Sequence, residues 1–536
     1  MTVHVPAPLS RPRSALVTLL FMGALVSGVT LLRHGIQRQG GETSAPVNGV
    51  RLFDDVHSHL SKLYVDSIVE SRLYRMAIDG LMEELGDPYS AFLPPERLRR
   101  LAEQTSGNYA GLGLQVDLRD GLVVVVNPLP GGPGERAGIL TGDEIAEIDG
   151  KAVNGWSPEE VQRLLRGAPG STVQITIDRP GSTGSIHLTV TREMVHQSAI
   201  RHAAILPNAI GYVDLQLFSD STVRELTHAI DSLIHMGARS LLIDIRANPG
   251  GFLEQGVQVA DLFLRPGELI VRTRGRVPGA NQDYMDHAPE RWPRLPVTIL
   301  VDERTASAAE LFAGALQDHD RAVILGLPTY GKGSAQNLYS VGDGDALRLT
   351  TTRWLTPSGR SIAPLPATAD SAAGARQRKL TYKTDAGRTI SGGGGIAPDV
   401  VVGDTSAPPE NIAFMRALGH KVGQFRDALA SYALSVKASR AVTSPNFVVT
   451  PTMRNDVYER MRARGIDVPR PTYNAAAQLV ARLLAYEVDR YVFGADAEFR
   501  RKAADDKMLV VAQRLMTGVR TQEDALARAT RMAPVP

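Results

Sequence analysis

The stretch Val297–Gly333, VTILVDERTASAAELFAGALQDHDRAVILGLPTYGKG, decides how the chain is read. VTILV and RAVILG are short, nearly all-apolar runs, as expected of strands buried on both faces of a sheet. The residues between them, near 306–317, read as a helix, so the stretch spells strand, helix, strand. GYVDLQLF and SLLIDIR upstream are further apolar runs of the same kind, with helical stretches near 219–235 and 253–264. This alternation predicts an α/β layered domain over 196–404.

The chemistry sits at the junctions. In RTASAAE, Arg304–Glu310, Ser307 is flanked by small residues that leave its hydroxyl unscreened. The N-terminus of the following helix aims N–H groups at that spot, which favours a developing oxyanion. Lys332 lies between two glycines, 25 residues after Ser307 and across one helix and one strand. Two such loops can meet at one sheet edge, and serine with lysine is a recognised pairing of nucleophile and general base. The blander alternatives are a small helix-start serine and a solvated surface lysine. GLPTYGKG, Gly326–Gly333, also approaches a phosphate-binding loop. However, Gly333 stands where a magnesium-binding hydroxyl is required, which disfavours a nucleotide binder. IRANPGG, Ile245–Gly251, is a turn after a buried strand, and its bare glycine N–H groups could line an oxyanion hole.

Composition narrows the field. With 43% apolar and 22% charged residues the chain is neither disordered nor collagen-like, and 536 residues suggest three or four domains. Fifty-nine basic against fifty-seven acidic side chains leave +2, which argues against a nucleic-acid binder. The absence of cysteine excludes disulfides, thiolate nucleophiles and Cys-ligated metals.

Outside 196–404, residues 106–195 read as a compact β-rich module of short strands. Within it, Ser157-Pro158-Glu159-Glu160 carries a capping-box pattern that opens a helix. Residues 48–105 show Val50, Phe53, Val56, Leu60 and Leu63 at helical spacing, then a second helix ended by Gly86-Asp87-Pro88. Residues 405–536 are helical again, and their amphipathic faces suit a cover for the core, self-association or an adaptor. Ser14–Leu32 is a run of nineteen uncharged residues. At about 1.5 Å per residue it suffices to cross a bilayer core of about 30 Å. This predicts a cytoplasmic stretch at 1–13, a signal anchor at 14–32 and a linker at 33–47. The catalytic part would then face the periplasm of a bacterial inner membrane, in a single-pass arrangement. Secretion after signal cleavage is the alternative.

Taken together and in this order, the segments resemble the C-terminal processing peptidases, or tail-specific proteases. The resemblance rests on LGDPYSAFL (Leu85–Leu93), the DxRxNPGG turn ending at Gly251, the serine motif, the GKG lysine and a late Gly395-Ile396-Ala397-Pro398-Asp399. It implies an α/β multidomain chain whose protease core is ββα-layered and ClpP/crotonase-like, with an inserted PDZ domain and flanking helical regions. By position, it makes Ser307 the nucleophile, Lys332 the general base and Gln336 the residue that orients the lysine. The amide of Ala308, with that of Gly250 or Gly251, would form the oxyanion hole. Ala110, Gly111, Leu112, Gly113 and Leu114 match the carboxylate-binding loop of the PDZ module, and Arg166 a link from that module to the site. The partners implied are polypeptides with free, apolar C-terminal tails; no cofactor, metal or nucleic acid is implied. Thr305, Ala309 and Glu303 depart from the usual serine motif, but Thr and Ala keep its setting small. The competing picture is a tethered PDZ scaffold with an inactive protease domain.

A free lysine has a pKa of about 10.4, so a base active at neutral pH needs a depression of about 3 units, or roughly 4 kcal/mol against the charged form. Burial can supply that, and the segment GKGSAQN carries no acid that would oppose it.

Overall fold

The structure, a computed structural model, describes residues 49–119, 121–179, 182–342, 344–364, 381–403 and 407–532. The chain divides into two compact units, one ending at Gly86 and one beginning at Asp87. In the first, the helical spacing is realised as helices Gly49–Leu63 and Glu70–Glu84. Phe53, His57 and Tyr74 stack between them.

In the second unit, the β-rich module is a six-stranded antiparallel sheet whose inward residues alternate. In Thr172–Asp178, for example, Val173, Ile175 and Ile177 are buried and their neighbours are not. Its helix, Pro158–Leu165, opens on the capping box that the sequence spells: Glu160 N–H donates to Ser157 Oγ, and Ser157 N–H to Glu160 Oε2.

The α/β body is a six-stranded sheet in the order Ile200–Leu206, Ile210–Leu215, Ser240–Asp244, Val297–Val301, Val323–Gly326, Val400–Val401. The first pair is antiparallel and every later pair parallel. The two-residue period explains the continuous apolar runs. Leu241, Ile243, Val297 and Ile299 turn to one face, under helices Thr222–His235, Leu253–Asp261 and Ala308–Asp318. Leu242 and Leu300, with Val323 and Leu325, turn to the other. That second face is covered from the far end of the chain, by Ala503, Leu509, Ala512, Leu515, Met516, Val519, Ala525 and Ala529. Gln522 completes the cover: its side chain accepts from Val297 N–H at 2.7 Å and donates to Val297 C=O at 3.3 Å. The helices between Pro409 and Val488 pack around their own core of Phe414, Phe425, Tyr458, Tyr473 and Leu484. One of them, Val422–Ser439, reaches the β-rich module, where Lys437 Nζ donates to Thr141 C=O at 2.8 Å.

A second, antiparallel sheet lies beside the first. Its strands are Ala91–Leu93, Asp345–Leu355, Leu269–Gly275 and Gln282–Met285, with Ser334–Val341 also on Asp345–Leu355. It pairs Ala91 with Arg348, so the LGDPYSAFL segment docks next to the loop that carries Lys332.

Two expectations are corrected. The core is not a ClpP/crotonase-like stack of ββα layers. Ile200–His235 runs strand, strand, helix, but Ser240–Asp244 runs directly into a helix, and the two strands ahead of helix Ala308–Asp318, Gln282–Met285 and Val297–Val301, belong to different sheets. The strands that follow Leu253–Asp261 leave for the second sheet, so the principal layer is one mostly parallel sheet with helices on both faces. The single-pass anchor, and the inner-membrane and periplasmic location drawn from it, are corrected as well. Among the described residues no helix is long and apolar enough to cross a membrane, and segment 14–32 lies outside them.

Candidate active site

The strand Val297–Val301 ends and the chain must turn sharply before helix Ala308–Asp318 begins. Ser307 makes that turn at φ 59°, ψ −121°, a conformation that costs a non-glycine residue about 1–3 kcal/mol and persists only where neighbours enforce it. The enforcing contacts are visible. Ser307 N–H donates to Glu310 Oε2 at 2.8 Å, Ala306 N–H to Asn248 C=O at 2.9 Å, and the buried Thr305 hydroxyl to Ile245 C=O at 2.9 Å. The hydroxyl at 305, a departure from the usual motif, thus ties the serine turn to the preceding strand. The Ser307 side chain sits at the half-buried mouth of the turn.

The Asn248–Gly251 turn presses against this serine. A Cβ on Gly250 would stand 2.7 Å from Ser307 Cβ and 2.8 Å from Ala308 N, so only glycine permits the approach. The two glycines are not equivalent. Gly250 N–H already donates to Asn248 Oδ1 at 2.8 Å, whereas the N–H groups of Gly251 and Ala308 reach no acceptor among the described residues. A cavity of about 340 Å³ opens here, and Gly251, Ser307, Ala308, Lys332 and Gln336 all line it.

Lys332 is half-buried in the loop between strands Val323–Gly326 and Ser334–Val341. Burial pushes its ammonium pKa down, and the positive charge of Arg348 pushes the same way; Glu310 and Asp87 oppose them. Glu310 is the residue that inspection of the sequence missed. It lies 22 residues before the lysine, yet its fully buried carboxylate accepts from Thr329 Oγ1 at 2.5 Å, Gly331 N–H at 2.6 Å and Lys332 N–H at 2.8 Å. Together with its bond to Ser307 N–H, it clasps the serine turn to the lysine loop. Desolvation raises its pKa, while those four donors favour the charged form. The available signal was its place three residues after the serine at a helix start, which reads there as an ordinary capping residue. Glu310→Gln, which turns two acceptor oxygens into one, should lower stability by about 2–4 kcal/mol as buried donors lose their partner. It should also cut kcat at least tenfold; thermal unfolding and steady-state rates measure both, and an unchanged kcat would show the clasp to be dispensable.

The remaining candidates are spread out. Gln336 lines the cavity, but its amide nitrogen donates to Ser334 Oγ and Thr350 Oγ1 at 3.1 and 3.2 Å, and no described hydrogen bond joins it to Lys332. Ala110 and Gly111 lie in the strand Asn108–Gly111, paired with Glu193–His196, and Leu114 opens the next strand. Between them, Leu112 and Gly113 donate their N–H groups to no backbone carbonyl among the described residues. Arg166 pairs with Glu103 at 2.6 Å and covers the Tyr109 ring, so it sits at the edge of this loop, and it is not among the residues that line the cavity at Ser307.

A model of peptidase family S41 matches residues 209–371, and a PDZ-domain model matches residues 124–179. The carboxy-terminal processing protease CtpA of Bacillus subtilis (strain 168) is 33% identical over 346 residues, covering 64% of this chain and 73% of that protein. A carboxy-terminal-processing protease of Bartonella bacilliformis is 34% identical over 322 residues, covering 59% and 73%. Among solved structures, a photosystem II D1 C-terminal processing protease is 30% identical and covers 71% of this chain and 98% of its own, with a TM-score of 0.35.

Proposed function

We propose, for a chain that belongs to peptidase family S41 as a carboxy-terminal processing protease with a PDZ domain, that Ser307 is its nucleophile and Lys332 its general base. The enzyme is a serine endopeptidase, and its PDZ domain binds polypeptide substrates by their C-terminal tails. The observation that carries the assignment is the clasp: one buried carboxylate, Glu310, holds the strained serine turn and the lysine loop on the same cavity.

In the proposed reaction, neutral Lys332 takes the hydroxyl proton as Ser307 Oγ attacks the peptide carbonyl. The developing oxyanion receives the N–H groups of Ala308 and Gly251. Gly250 is left out because its N–H is already committed to Asn248. Lysine then returns the proton to the leaving amine; water, deprotonated by the same lysine, attacks the acyl-enzyme, and the lysine gives that proton to Ser307 Oγ as the acid product leaves. Gln336 acts on the loop that carries Lys332, through Ser334, rather than on the amine itself.

An organophosphonate probe tests the nucleophile directly. It should label one site, and peptide mapping should place the adduct on Ser307; labelling elsewhere would sink the assignment. For tail recognition, the loop Ala110–Leu114 is proposed to accept the terminal carboxylate on backbone N–H groups while the peptide adds as a strand. Amidating a substrate's C-terminus should then raise KM by about 10- to 100-fold, the worth of a charge-assisted hydrogen bond or two. Equal KM for acid and amide would remove the tail reading and leave proteolysis standing.

A further inference from the structure

We propose that Tyr89, in the DPYSAF segment ahead of the PDZ domain, is a positioning residue that holds the Lys332 amine with its ring face; this rests on the serine–lysine reading above. Lys332 Nζ lies 4.7 Å from the centre of the Tyr89 ring, a cation–π distance, although 243 residues separate them in the chain.

The ring is held as a fixed wall. Tyr89 N–H donates to Asp87 Oδ1 at 3.1 Å, and its carbonyl accepts from Arg348 Nε at 2.8 Å. The next residue, Ser90, donates to Asp87 Oδ2 at 2.6 Å and accepts from Thr350 N–H at 3.0 Å. Ala91 then enters the second sheet opposite Arg348. Tyr330, whose backbone N–H donates to Thr305 C=O at 3.0 Å, interacts with the Tyr89 hydroxyl, so the same ring is referenced to the serine turn.

The chemistry of a lysine base explains why an aromatic face serves here. A lysine side chain has four rotatable bonds and must be restrained to face one hydroxyl. A carboxylate partner would restrain it but would hold it protonated. A ring face restrains the amine by contact and a weak attraction, so it raises the pKa far less than an ion pair would. Among the described residues the charged groups that act on the amine are three: Arg348 favours the neutral form, Glu310 and Asp87 the charged one, and both carboxylates are occupied by hydrogen-bond donors of their own. Tyr89 is therefore distinct from the reacting groups; it acts through Lys332.

Tyr89→Leu and Tyr89→Phe in the full chain, assayed on a peptide with a free apolar C-terminus, separate the ring from the hydroxyl. Tyr89→Leu should lower kcat by roughly 10- to 100-fold with KM within twofold of wild type, as expected when a reacting group drifts by about 1 Å. Its acidic limb in the pH–kcat profile should move to lower pH by about half a unit, because the attraction for the ammonium is lost. Tyr89→Phe keeps the ring and should keep both kcat within threefold and the limb in place. Tyr89→Met, also ringless, takes the place of Tyr89→Leu should the latter not fold. Full kcat in the ringless variant, a limb that stays put, or a Phe variant as impaired as Leu would each overturn the proposal. Lys332→Ala run alongside keeps the two readings apart: normal cleavage there removes the base itself, whatever Tyr89 does.

Discussion

Ser307→Ala and Lys332→Ala should each lower kcat/KM by about 10⁴-fold or more while leaving the chain folded, and the double variant should be scarcely worse than either. The reason lies in the division of labour. Removing Oγ leaves no atom to form the acyl-enzyme, and removing the amine leaves the hydroxyl protonated. A nucleophile and base that act as one unit lose the same step, so their effects do not add. Neither side chain is needed for packing: Ser307→Ala removes only a half-buried hydroxyl, and the Lys332 backbone, not its amine, is what Glu310 holds. Melting temperatures should therefore shift little, and circular dichroism should match wild type. Lys332→Arg should be as inactive as Lys332→Ala, because a guanidinium stays charged at any working pH. The wild-type rate should climb with pH along the lysine's titration and level off below the ordinary lysine value. Burial and Arg348 favour the neutral amine and shift that limb downward. Robust cleavage by either single variant, or an acidic limb at the ordinary lysine value, would refute the dyad.

Ending the chain after Gly494 should abolish soluble, folded protein. The deleted helices are not an appendage. Leu509, Leu515, Met516 and Val519 lie buried against Leu242, Leu300, Val323 and Leu325 of the central sheet. At about 1.5–3 kcal/mol for each large side chain returned to water, exposing the four sheet residues would cost roughly 6–12 kcal/mol. That matches the whole stability of an ordinary domain, about 5–15 kcal/mol. The exposed sheet face would also be a contiguous apolar patch, which invites aggregation. Expression in the insoluble fraction, or strong dye binding with lost near-ultraviolet dichroism, is the expected result. A soluble truncated enzyme with an unchanged melting transition would show that the face is covered in another way.

The core strands were legible because each is a short run with almost no polar residue, and such a run has few homes other than a doubly covered sheet. What covered the second face was not legible. Helices 495–532 are amphipathic, and amphipathicity states that a face must be buried without saying against what. The capping box at Ser157 was legible for the opposite reason: both partners lie within four residues and need no tertiary partner. The ββα-layered picture failed because strand order is set by pairing between distant segments, and Ala91–Leu93 finds Ala346–Arg348 only in the folded chain.

The site divides along the same line. Ser307 and Lys332 could be paired from their residue types, their small neighbours and the strand–helix–strand period between them. The absence of an acid near Lys332 in sequence did not survive folding, since Glu310 arrives from the start of the neighbouring helix. Likewise, no pattern could choose between Gly250 and Gly251. That choice depends on which N–H Asn248 consumes, a matter of one hydrogen bond.

By itself, then, the sequence determined the chemistry available and the period of the core: a serine at a strand–helix junction, a lysine between glycines, and apolar strands too continuous for an exposed sheet. These are local facts, set by residue type and by spacings of two and about four residues. Tertiary structure decided what the lysine meets. Burial, Arg348, the Glu310 clasp and the Tyr89 ring come from segments up to 243 residues away, and an amine's basicity and aim depend on its surroundings, not on its neighbours in the chain.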